Sequence, residues 1–501
     1  MSSLRTASVF SLLENLNWKL FIDKGVHVTR LKSLKFLSSE PHLSVQDHAY
    51  QAKLDALRTI NLSNEQQIVK DLVLNNEDNV FYTGAAGTGK SVLLRSIISG
   101  IRRKYGKSSV AVTAMTGIAA INIGGQTLHS FAGLTPQSNL LNIESLIKKI
   151  NRSHRIVRRW KKIKALVIDE ISMLDAELFD KLDHVVKNIR CDSRPFGGLQ
   201  LIITGDFCQL PPVKVNNYCF DAESWNSLNH SIQLTTVHRQ SEQEFIKMLN
   251  EIRFGNMSEK SIDILNKLNQ APEYQNDGIE VTELYPVNRM VNEVNYMKLA
   301  FNTNQQFIYN AEDWEPKFNG QLISLRNGCI APSRLRLKIN AQVMLIKNFT
   351  KQLVNGSKGV VVGWFSIPSE KFYDEHDEVP SHDVTFVLPV VKFTNGQTKV
   401  VPWTEWTLKD ETERVVARRI QIPLILSWAI SIHKSQGQTL ERVKVDLDKV
   451  FERGQTYVAL SRATSLNSLQ VLNFSPDKVM TEERVKIFYD LLTNFSANGI
   501  S

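Results

Sequence analysis

Cysteine is scarce in this chain, and long apolar runs are missing. The 501 residues include four cysteines, with no C-x2-C pair and no histidine at metal-ligand spacing: Cys191, Cys208, Cys219 and Cys329. This usage argues against a zinc site or a disulfide framework, and we expect reduced thiols in an intracellular protein. No run of 18 apolar residues occurs, which excludes a membrane span made of one continuous apolar helix.

Acidic residues are fewer than basic ones. The chain has 60 Lys and Arg against 51 Asp and Glu, a formal charge of +9, with 42% hydrophobic and 22% charged residues. This is the composition of an ordinary globular chain, and its length exceeds what one hydrophobic core can organise, so two or three domains are expected. The charge excess does not by itself establish nucleic-acid binding. The distribution of the basic residues along the chain is the more informative evidence.

One segment completes the phosphate-binding pattern G-x4-G-K-S: Gly84, Ala85, Ala86, Gly87, Thr88, Gly89, Lys90 and Ser91. An apolar run precedes it and a helix-like run follows it, which is the context in which backbone N–H groups cradle phosphates. Lys90 would reach the β and γ phosphates of ATP, and the Ser91 hydroxyl would bind Mg²⁺. The segment therefore predicts a nucleoside triphosphate site.

Two carboxylates follow a second apolar run. Residues 165–168 read as a buried strand that ends in Asp169 and Glu170, which would face the nucleotide at the C-terminal edge of a parallel sheet. Asp169 would hold Mg²⁺ together with Ser91, and Glu170 would polarise the attacking water. After a third apolar run, Gln209 offers an amide that could sense the γ-phosphate. In this order the segments predict an ATPase.

These segments, with others in the same order, resemble the petite integration frequency (PIF) family of 5'-to-3' DNA helicases, in the type B branch of superfamily one. The resemblance covers roughly residues 60 to 475. It rests on the segments 61–66, 84–91, 112–120, 127–133, 182–198, 233–240, 431–439 and 457–463.

The resemblance assigns roles that the phosphate-binding pattern alone does not. It implies that Gln66 contacts the adenine base, that Arg239 and Arg462 are arginine fingers, and that Gly437 lies at the nucleotide. Two arginines supplied from a second domain would let bound ATP hold the two domains together, because each guanidinium offers a rigid fork of donors to phosphoryl oxygens. A surface or interdomain salt bridge is the alternative role for either arginine.

The strand and helix signals indicate the domain organisation. They alternate from residue 80 to about 234 and return from 285 onward, while short β-like runs with turns occupy the region around 343–393. With the resemblance, this pattern predicts an α/β protein with two RecA-like parallel-sheet domains and a small SH3-like β-barrel inserted in the second. The expected domains are 50–234 and 235–501, with the barrel near 335–420.

Positive charge is concentrated in one segment. Nine basic residues and no acid occur from Lys148 to Lys164. Apolar and weakly polar side chains recur there at helical spacing, which predicts an amphipathic helix in a basic arm near 126–164: Ile147, Ile150, His154, Val157 and Trp160. Two readings stay open, a solvated helix face or a DNA contact that gains affinity from counterion release.

Single-stranded DNA would lie across both α/β domains. The candidate contacts, some by stacking and some to phosphate, are His129, Phe131, Asn288, His433 and Lys434. The resemblance implies single strands and duplex or quadruplex junctions as partners. A monomer is expected, with dimerisation on DNA as a further possibility.

The N-terminal region is basic and rich in hydroxyls. The first 35 residues hold six Lys or Arg, seven Ser or Thr and two acids. This composition is typical of a mitochondrial presequence and also of a basic tail, and both readings stay open for the leader at 1–49. The resemblance implies the nucleus, the mitochondrion or both, and roles in genome maintenance.

Three functions are compatible with these observations. The leading one is an ATP-dependent DNA helicase that moves 5'-to-3' and unwinds duplex, DNA:RNA hybrid or guanine quadruplex. The second is an ATP-driven nucleic-acid clamp or remodeller without processive unwinding. The third, a binding module with an inactive ATPase, is disfavoured because Lys90, Glu170 and Arg462 are all present.

Overall fold

The computed structural model describes residues 62–134, 138, 140–212, 217–273, 278–314, 317–318, 321–322, 329–350, 352–368, 385–409 and 415–498. The expected leader at 1–49 lies outside the described residues. Across the described ranges, no helix has the length and apolar character of a membrane span. Two compact units can be distinguished: one comprises Asn61–Lys358 and Trp403–Ser501, and the other contains Gly359–Pro402.

The first sheet is entirely parallel. Its strands are β1 (Val80–Gly84), β2 (Val110–Ala114), β3 (Gln126–Thr127), β4 (Ala165–Asp169), β5 (Gln200–Thr204) and β6 (His230–Leu234). Their order in the sheet is β3-β2-β4-β5-β1-β6. The helices before and between them are α1 (Asn64–Leu74), α2 (Lys90–Tyr105), α3 (Gly117–Asn122), α4 (Leu128–Ala132), α5 (Ile143–Asn151), α6 (His154–Lys162) and α7 (Ala176–Arg190). The loop after β1 therefore opens beside the carboxyl ends of β5 and β6.

Both faces of this sheet are buried. Val80 and Tyr82 of β1 face one apolar core, which α1 and α2 cover, whereas Phe81 faces a second core on the opposite side. Successive side chains of a strand point to opposite faces, so a strand covered on both sides is apolar at every position. This arrangement explains the unbroken apolar run at 165–168.

The remaining elements follow in chain order. The strands are β7 (Thr282–Tyr285), β8 (Phe307–Asn310), β9 (Glu312–Trp314), β10 (Lys317–Phe318), β11 (Gln321–Leu322), β12 (Arg334–Leu337), β13 (Gln342–Leu345), β14 (Lys358–Pro368), β15 (Thr385–Phe393), β16 (Thr398–Val400), β17 (Thr404–Lys409), β18 (Val415–Gln421), β19 (Leu424–Leu426), β20 (Ala429–Ser431), β21 (Val443–Asp446) and β22 (Leu469–Leu472). The helices are α8 (Gln243–Phe254), α9 (Glu259–Lys267), α10 (Asn288–Phe301), α11 (Ile432–Ser435), α12 (Gln455–Leu460) and α13 (Glu483–Asn498).

A second parallel sheet has the order β20-β7-β21-β22. Its strands share the large apolar core with one face of the first sheet, through residues such as Ile430, Val445 and Val471. The predicted α/β class with two parallel sheets is confirmed.

The strands between β7 and β20 pair only in the antiparallel sense. In the larger unit β8 pairs with β12, β13 with β19, and β18 lies between β17 and β9. In the unit 359–402, β15 lies between β14 and β16, with a register shift between Val361 and Gly363. The segment expected as a barrel thus differs in strand pairing from both parallel sheets.

Helix α13 returns to the first sheet. Its Phe488 ring stacks on Phe220 at 4.4 Å between centroids and lies 5.3 Å from Phe207 and 6.1 Å from Phe81. The expected boundary gave all of 235–501 to the second domain, whereas this helix completes the core of the first. The sequence of α13 shows an apolar face but not which sheet that face covers.

The basic arm differs from the single helix that its spacing predicted. Helix α5 ends at Asn151 and α6 begins at His154, because Ser153 takes an extended N-cap conformation at φ −98° and ψ 94°. Ser153 is the N-cap residue of α6 and makes no side-chain capping hydrogen bond. Ile150 and Trp160 are buried, so each short helix still packs by its apolar residues.

Candidate nucleotide site and DNA-facing residues

The phosphate-binding loop joins β1 to the N-terminus of α2. Gly87 and Gly89 have φ of +94° and +81°, in the region that favours glycine. A Cβ on Gly89 would lie 2.6 Å from the Gln66 amide nitrogen, and one on Gly87 would lie 2.8 Å from the Arg239 Cβ. The loop therefore needs glycine both for its backbone and for the close approach of its neighbours.

Lys90 is the first residue of α2 and bends back over this loop. Its Nζ donates to the carbonyls of Gly84 at 2.7 Å and Ala85 at 3.1 Å. Burial lowers the pKa of Lys90, and the negative charges of Asp206 and Glu170 oppose that shift. The ammonium thus lies where a phosphate would displace the carbonyls as its partner. Ser91, the next residue of the helix, is half-buried.

Gln66 anchors the loop from α1. It closes a capping box with Ser63, and its Nε2 donates to the Thr88 carbonyl at 3.1 Å. The buried amide therefore ties the start of α1 to the loop. Gly437, the other residue assigned to the nucleotide by resemblance, has φ +74° and open space beside its Cα.

Asp169 and Glu170 stand at the end of β4. Burial and the neighbouring Glu170 charge raise the pKa of Asp169 to about 8. Burial also raises the pKa of Glu170, although Lys90 and Arg462 partly offset it. Glu170 has φ +57°, a left-handed conformation that is uncommon for glutamate, and its Oε2 accepts from Gln436 Nε2 at 2.9 Å. Two neighbouring carboxyls at a strand end, both with raised pKa, suit a metal site or a general base.

The residues fit an oxygen-bound Mg²⁺ in chemistry. Asp169 and Ser91 offer a carboxylate and a hydroxyl, which are hard oxygen donors, and Mg²⁺ usually keeps several waters and phosphate oxygens as its other ligands. Within the described residues, no group of three or more His, Cys, Asp or Glu could form a complete metal cage.

Gln209 connects the loop after β5 to the second domain. Its Nε2 donates to Asp206 Oδ2 at 3.3 Å, and its Oε1 accepts from Gln436 Nε2 at 3.3 Å. Gln436 follows α11 and also holds Glu170. Two glutamine amides therefore bridge the two sheets directly beside the predicted base.

Arg239 and Arg462 converge on Ser461. Arg239 Nη1 donates to the Ser461 carbonyl at 3.0 Å, and Arg462 Nη2 donates to the Ser461 hydroxyl at 2.7 Å. Burial and the charge of Arg239 lower the pKa of Arg462 to about 9. Among the residues with described positions, neither guanidinium is within ion-pair distance of a carboxylate. Arg462 is buried and Arg239 is half-buried, and both are held by neutral oxygens, which favours an anionic ligand over the salt-bridge alternative.

We call the following set the nucleotide cleft: Gln66, the loop 84–91, Asp169, Glu170, Gln209, Arg239 and Arg462. It combines strand ends of the first sheet with the loop before α8 and the end of α12.

The predicted DNA contacts lie at the carboxyl edges of the sheets. Ser431 of β20 pairs with Tyr285 of β7, so α10, which begins at Asn288, and α11, which carries His433 and Lys434, start from the same edge. Asn288 and Lys434 are exposed, and His433 is half-buried.

The first-domain contacts behave differently. His129 is half-buried, whereas Phe131 is 4% exposed and packs edge-on against Trp160 at 4.9 Å between ring centroids. In this conformation Phe131 is a core residue, and stacking on a base would require it to leave that core. The candidate DNA contact at Phe131 therefore stays a prediction, and it would require a different position of this ring. Its packing partner, Trp160, lies 29 residues later on another helix, so the sequence around Phe131 does not indicate this contact.

Similarity to known proteins decides the family. The sequence profile of the PIF1-like helicase family matches residues 61–263, and that of the DNA helicase Pif1 2B domain matches residues 322–364. The ATP-dependent DNA helicase PIF1 of Emericella nidulans is 43% identical over 477 residues, which cover 86% of this chain and 63% of that protein. The crystal structure of Pif1 helicase from Candida albicans is 43% identical, with a TM-score of 0.70 over 87% of this chain and 100% of that chain. The chain belongs to the PIF1-like helicase family.

A further member of the PIF1-like helicase family has been solved with ligands. The structure of Pif1 helicase from Bacteroides in complex with ADP-AlF3 and ssDNA is 28% identical, with a TM-score of 0.58 over 88% of this chain and 98% of that chain. The present chain spans 63% of the length of the Emericella nidulans relative.

The sequence did not reveal every polar group around this PIF1-like site. The Tyr457 hydroxyl accepts from the Ala86 N–H of the phosphate-binding loop at 2.8 Å, and Gln436 holds Glu170. Both residues lie inside motifs that the resemblance had marked, but no role was assigned to either. Tyr489 and Arg253 lie outside the marked motifs and reach the site only through long-range packing.

Proposed function

We propose that this chain hydrolyses ATP to move 5'-to-3' along single-stranded DNA, unwinding duplex, DNA:RNA hybrid or guanine quadruplex ahead of it. The observation that carries the proposal is the pair of arginines at Ser461, with Arg462 buried and Arg239 half-buried, which has no acidic partner within ion-pair distance in the described part of the chain. The backbone next to Arg239 also contacts the phosphate-binding loop, since His238 N–H donates to the Gly87 carbonyl at 2.8 Å. Arginines in this position stabilise charge that develops during phosphoryl transfer.

The other residues of the nucleotide cleft would have separate roles in ATP hydrolysis. Lys90 would exchange its two carbonyl partners for β and γ phosphate oxygens. Glu170 would accept the proton of the attacking water, and Gln209 would contact the γ-phosphate. Mg²⁺ held by Asp169 and Ser91 would neutralise phosphate charge. Closure around ATP and opening after hydrolysis would then change the spacing of the two sheets.

Movement requires that both sheets hold the strand. Asn288, His433 and Lys434 at one edge, with His129 on the first domain, are the proposed contacts. Such contacts to phosphates and base faces tolerate any sequence. The single-stranded DNA in the Bacteroides relative supports this partner class. We expect a monomer that can pair with a second copy on DNA.

Two partial duplexes of identical sequence test the proposal, one with a 5' tail and one with a 3' tail. With ATP, the 5'-tailed substrate should be unwound and the 3'-tailed one should not. Unwinding of the 3'-tailed substrate alone would overturn the direction. ATP hydrolysis without displacement of either strand would instead support an ATP-driven clamp or remodeller.

We further propose that the protein serves genome maintenance in the nucleus, the mitochondrion or both. The basic, hydroxyl-rich residues 1–35 support the mitochondrial share. Fluorescent fusions with and without residues 1–49 test this directly. Equal distribution of the two fusions would remove the argument for a presequence.

A further inference from the structure

Asp206 is a completely buried carboxylate behind the nucleotide cleft. It lies in the loop after β5 and is 0% exposed, and it accepts from Arg253 Nη2 at 2.9 Å and Nε at 3.2 Å. The Tyr489 hydroxyl donates to the same carboxylate at 2.9 Å. Burial alone would raise the pKa of Asp206, but the charges of Arg253 and Lys90 and the hydrogen bonds from Arg253 and Tyr489 outweigh it and lower the pKa. Asp206 is therefore ionised and can only accept hydrogen bonds.

The ionised carboxylate sets the direction of the hydrogen bonds that join Tyr489 to Thr83 and Phe207. Because the hydroxyl proton of Tyr489 goes to Asp206, its oxygen must accept from Thr83 Oγ1 at 2.7 Å. The same oxygen accepts from the Phe207 N–H at 3.1 Å. Thr83 immediately precedes the phosphate-binding loop, and Phe207 belongs to the loop that carries Gln209. One hydroxyl from α13 thus joins the two loops.

The same carboxylate also orients the amides on the other side. Gln209 must turn its NH₂ group towards Asp206, which leaves its oxygen for Gln436. Gln436 must then present its NH₂ group to both Gln209 and Glu170. A continuous relay of hydrogen bonds therefore runs from Thr83 through Tyr489, Asp206, Gln209 and Gln436 to Glu170.

We propose that Tyr489 and Arg253 are positioning residues for ATP hydrolysis, holding Gln209 and Glu170 in their reactive orientation through Asp206. This inference rests on the proposed ATPase function. Neither residue needs to touch the nucleotide, because the effect passes through the relay. Arg253, 2% exposed, fixes the carboxylate with its fork and lies over the Tyr489 ring at 4.5 Å. Helix α13, which follows the second sheet, is therefore part of the active site of the first.

The substitution Tyr489→Phe tests the relay with little disturbance. It removes the hydroxyl but keeps the ring against Arg253, Phe254 and Phe488. We expect kcat for DNA-stimulated ATP hydrolysis to fall by about 10-fold or more, since small misplacements of reacting groups have effects of this size. Affinity for ADP should stay within about 3-fold of the unsubstituted protein, whereas affinity for ADP with aluminium fluoride should fall by the same factor as kcat.

Tyr218→Phe is the matched control. The Tyr218 hydroxyl donates to Glu482, just before α13, at 3.1 Å and is not part of the relay. If docking of α13 alone mattered, both variants would lose activity together. We expect Tyr218→Phe to retain its kcat, and equal losses in the two variants would overturn the relay.

Thr83 supplies a second, independent test. Thr83→Val removes the hydroxyl that donates to Tyr489 and should lower kcat, whereas Thr83→Ser should restore it. Unchanged kcat and unchanged aluminium fluoride affinity in Tyr489→Phe would sink the proposal. Binding of the transition-state analogue is measured without DNA unwinding, so failure of the unwinding assay and failure of the relay give different results.

Discussion

The nucleotide cleft and the sheet edges that carry the candidate DNA contacts use polar side chains in opposite ways. In the cleft, Arg462 is 1% exposed and Glu170 and Gln209 are bonded to a shared partner. At the edges, Asn288 and Lys434 are open to solvent. A buried charge must be stabilised by its surroundings, so its geometry reports its task. An exposed charge is stable in water without a ligand, so its geometry does not reveal its function.

The largest effect should come from the arginines of the cleft. Arg462→Ala or Arg239→Ala should lower ATP turnover by roughly 10³, because each would remove a donor that acts on the transition state. Affinity for ATP should fall much less. Stopped-flow nucleotide binding and steady-state hydrolysis separate the two quantities.

Equal losses in turnover and affinity would mark a ground-state contact instead. Arg462→Lys keeps the charge but not the fork of donors, so it should remain close to the alanine variant. A folded variant with normal turnover would return that arginine to a structural role.

The carboxylate of the cleft should show the next largest effect. Glu170→Gln keeps the shape of the side chain but cannot accept a proton, so hydrolysis should fall by at least about 10² while ATP still binds. Lys90→Ala should weaken ATP binding as well as turnover, because Lys90 contacts phosphates before the reaction. Normal hydrolysis by Glu170→Gln would show that another group is the base.

The basic arm tests the exposed side of the comparison. The surface cations of the arm are either solvated or in contact with DNA. Arg158, Lys161 and Lys162 are exposed. Replacing them and Arg155 by Gln should flatten the plot of log affinity for single strands against log salt by up to about 0.7 per lost phosphate contact. Fluorescence anisotropy at several salt concentrations gives the slope.

The control for the arm removes the same charge elsewhere. Four exposed lysines on helices α8, α9 and α10 serve this purpose: Lys247, Lys260, Lys267 and Lys298. Their replacement by Gln should leave the slope close to that of the parent protein. Equal slopes for both quadruple variants would mean that the arm is merely solvated.

A smaller effect should come from a buried charge outside the cleft. Lys358 is 6% exposed and donates to the Thr282 hydroxyl at 2.5 Å. Burial lowers its pKa to about 7, with Glu441 opposing and Arg442 adding to the shift. The pKa of Lys358 is lower in the folded state than in the unfolded state. Above pH 7 the folded state therefore binds fewer protons than the unfolded state, in which Lys358 stays protonated. Lys358 should therefore raise the free energy of unfolding by about 1 kcal/mol between pH 7 and 8.

Denaturant unfolding at the two pH values checks this sign. Lys358→Met should lose that pH-dependent increment, whereas Lys392→Met, at an exposed position, should keep it. An increment that persists in Lys358→Met would show that another group produces it and would contradict the assignment to Lys358.

The local part of the cleft could be predicted from the sequence. The loop 84–91 and the pair Asp169 and Glu170 are read from short segments because a strand end and a helix start determine where they lie. The α/β class followed from apolar runs buried on both faces. These features depend on neighbours within about ten residues in the chain.

What could not be predicted depends on contacts between distant residues. The spacing of the basic arm suggested one helix, and nothing in it shows that Ser153 interrupts it. Phe131 is one of the candidate DNA contacts, and nothing near it in the sequence shows that it packs against Trp160 on another helix. Tyr489 and Arg253 form no local pattern, and their roles arise only where α8 and α13 meet the loop after β5.

The return of α13 to the first sheet has a consequence for synthesis. The hydroxyls of Thr83 and Tyr489 are separated by 406 positions, so the first sheet leaves the ribosome long before the helix that covers its aromatic cluster. At about 5–20 residues per second, the interval between β6 and Phe488 is roughly 10–50 s. During that time Phe81, Phe207 and Trp225 lack their contacts with Phe488 of α13, so apolar surface of the first sheet stays uncovered on the nascent chain.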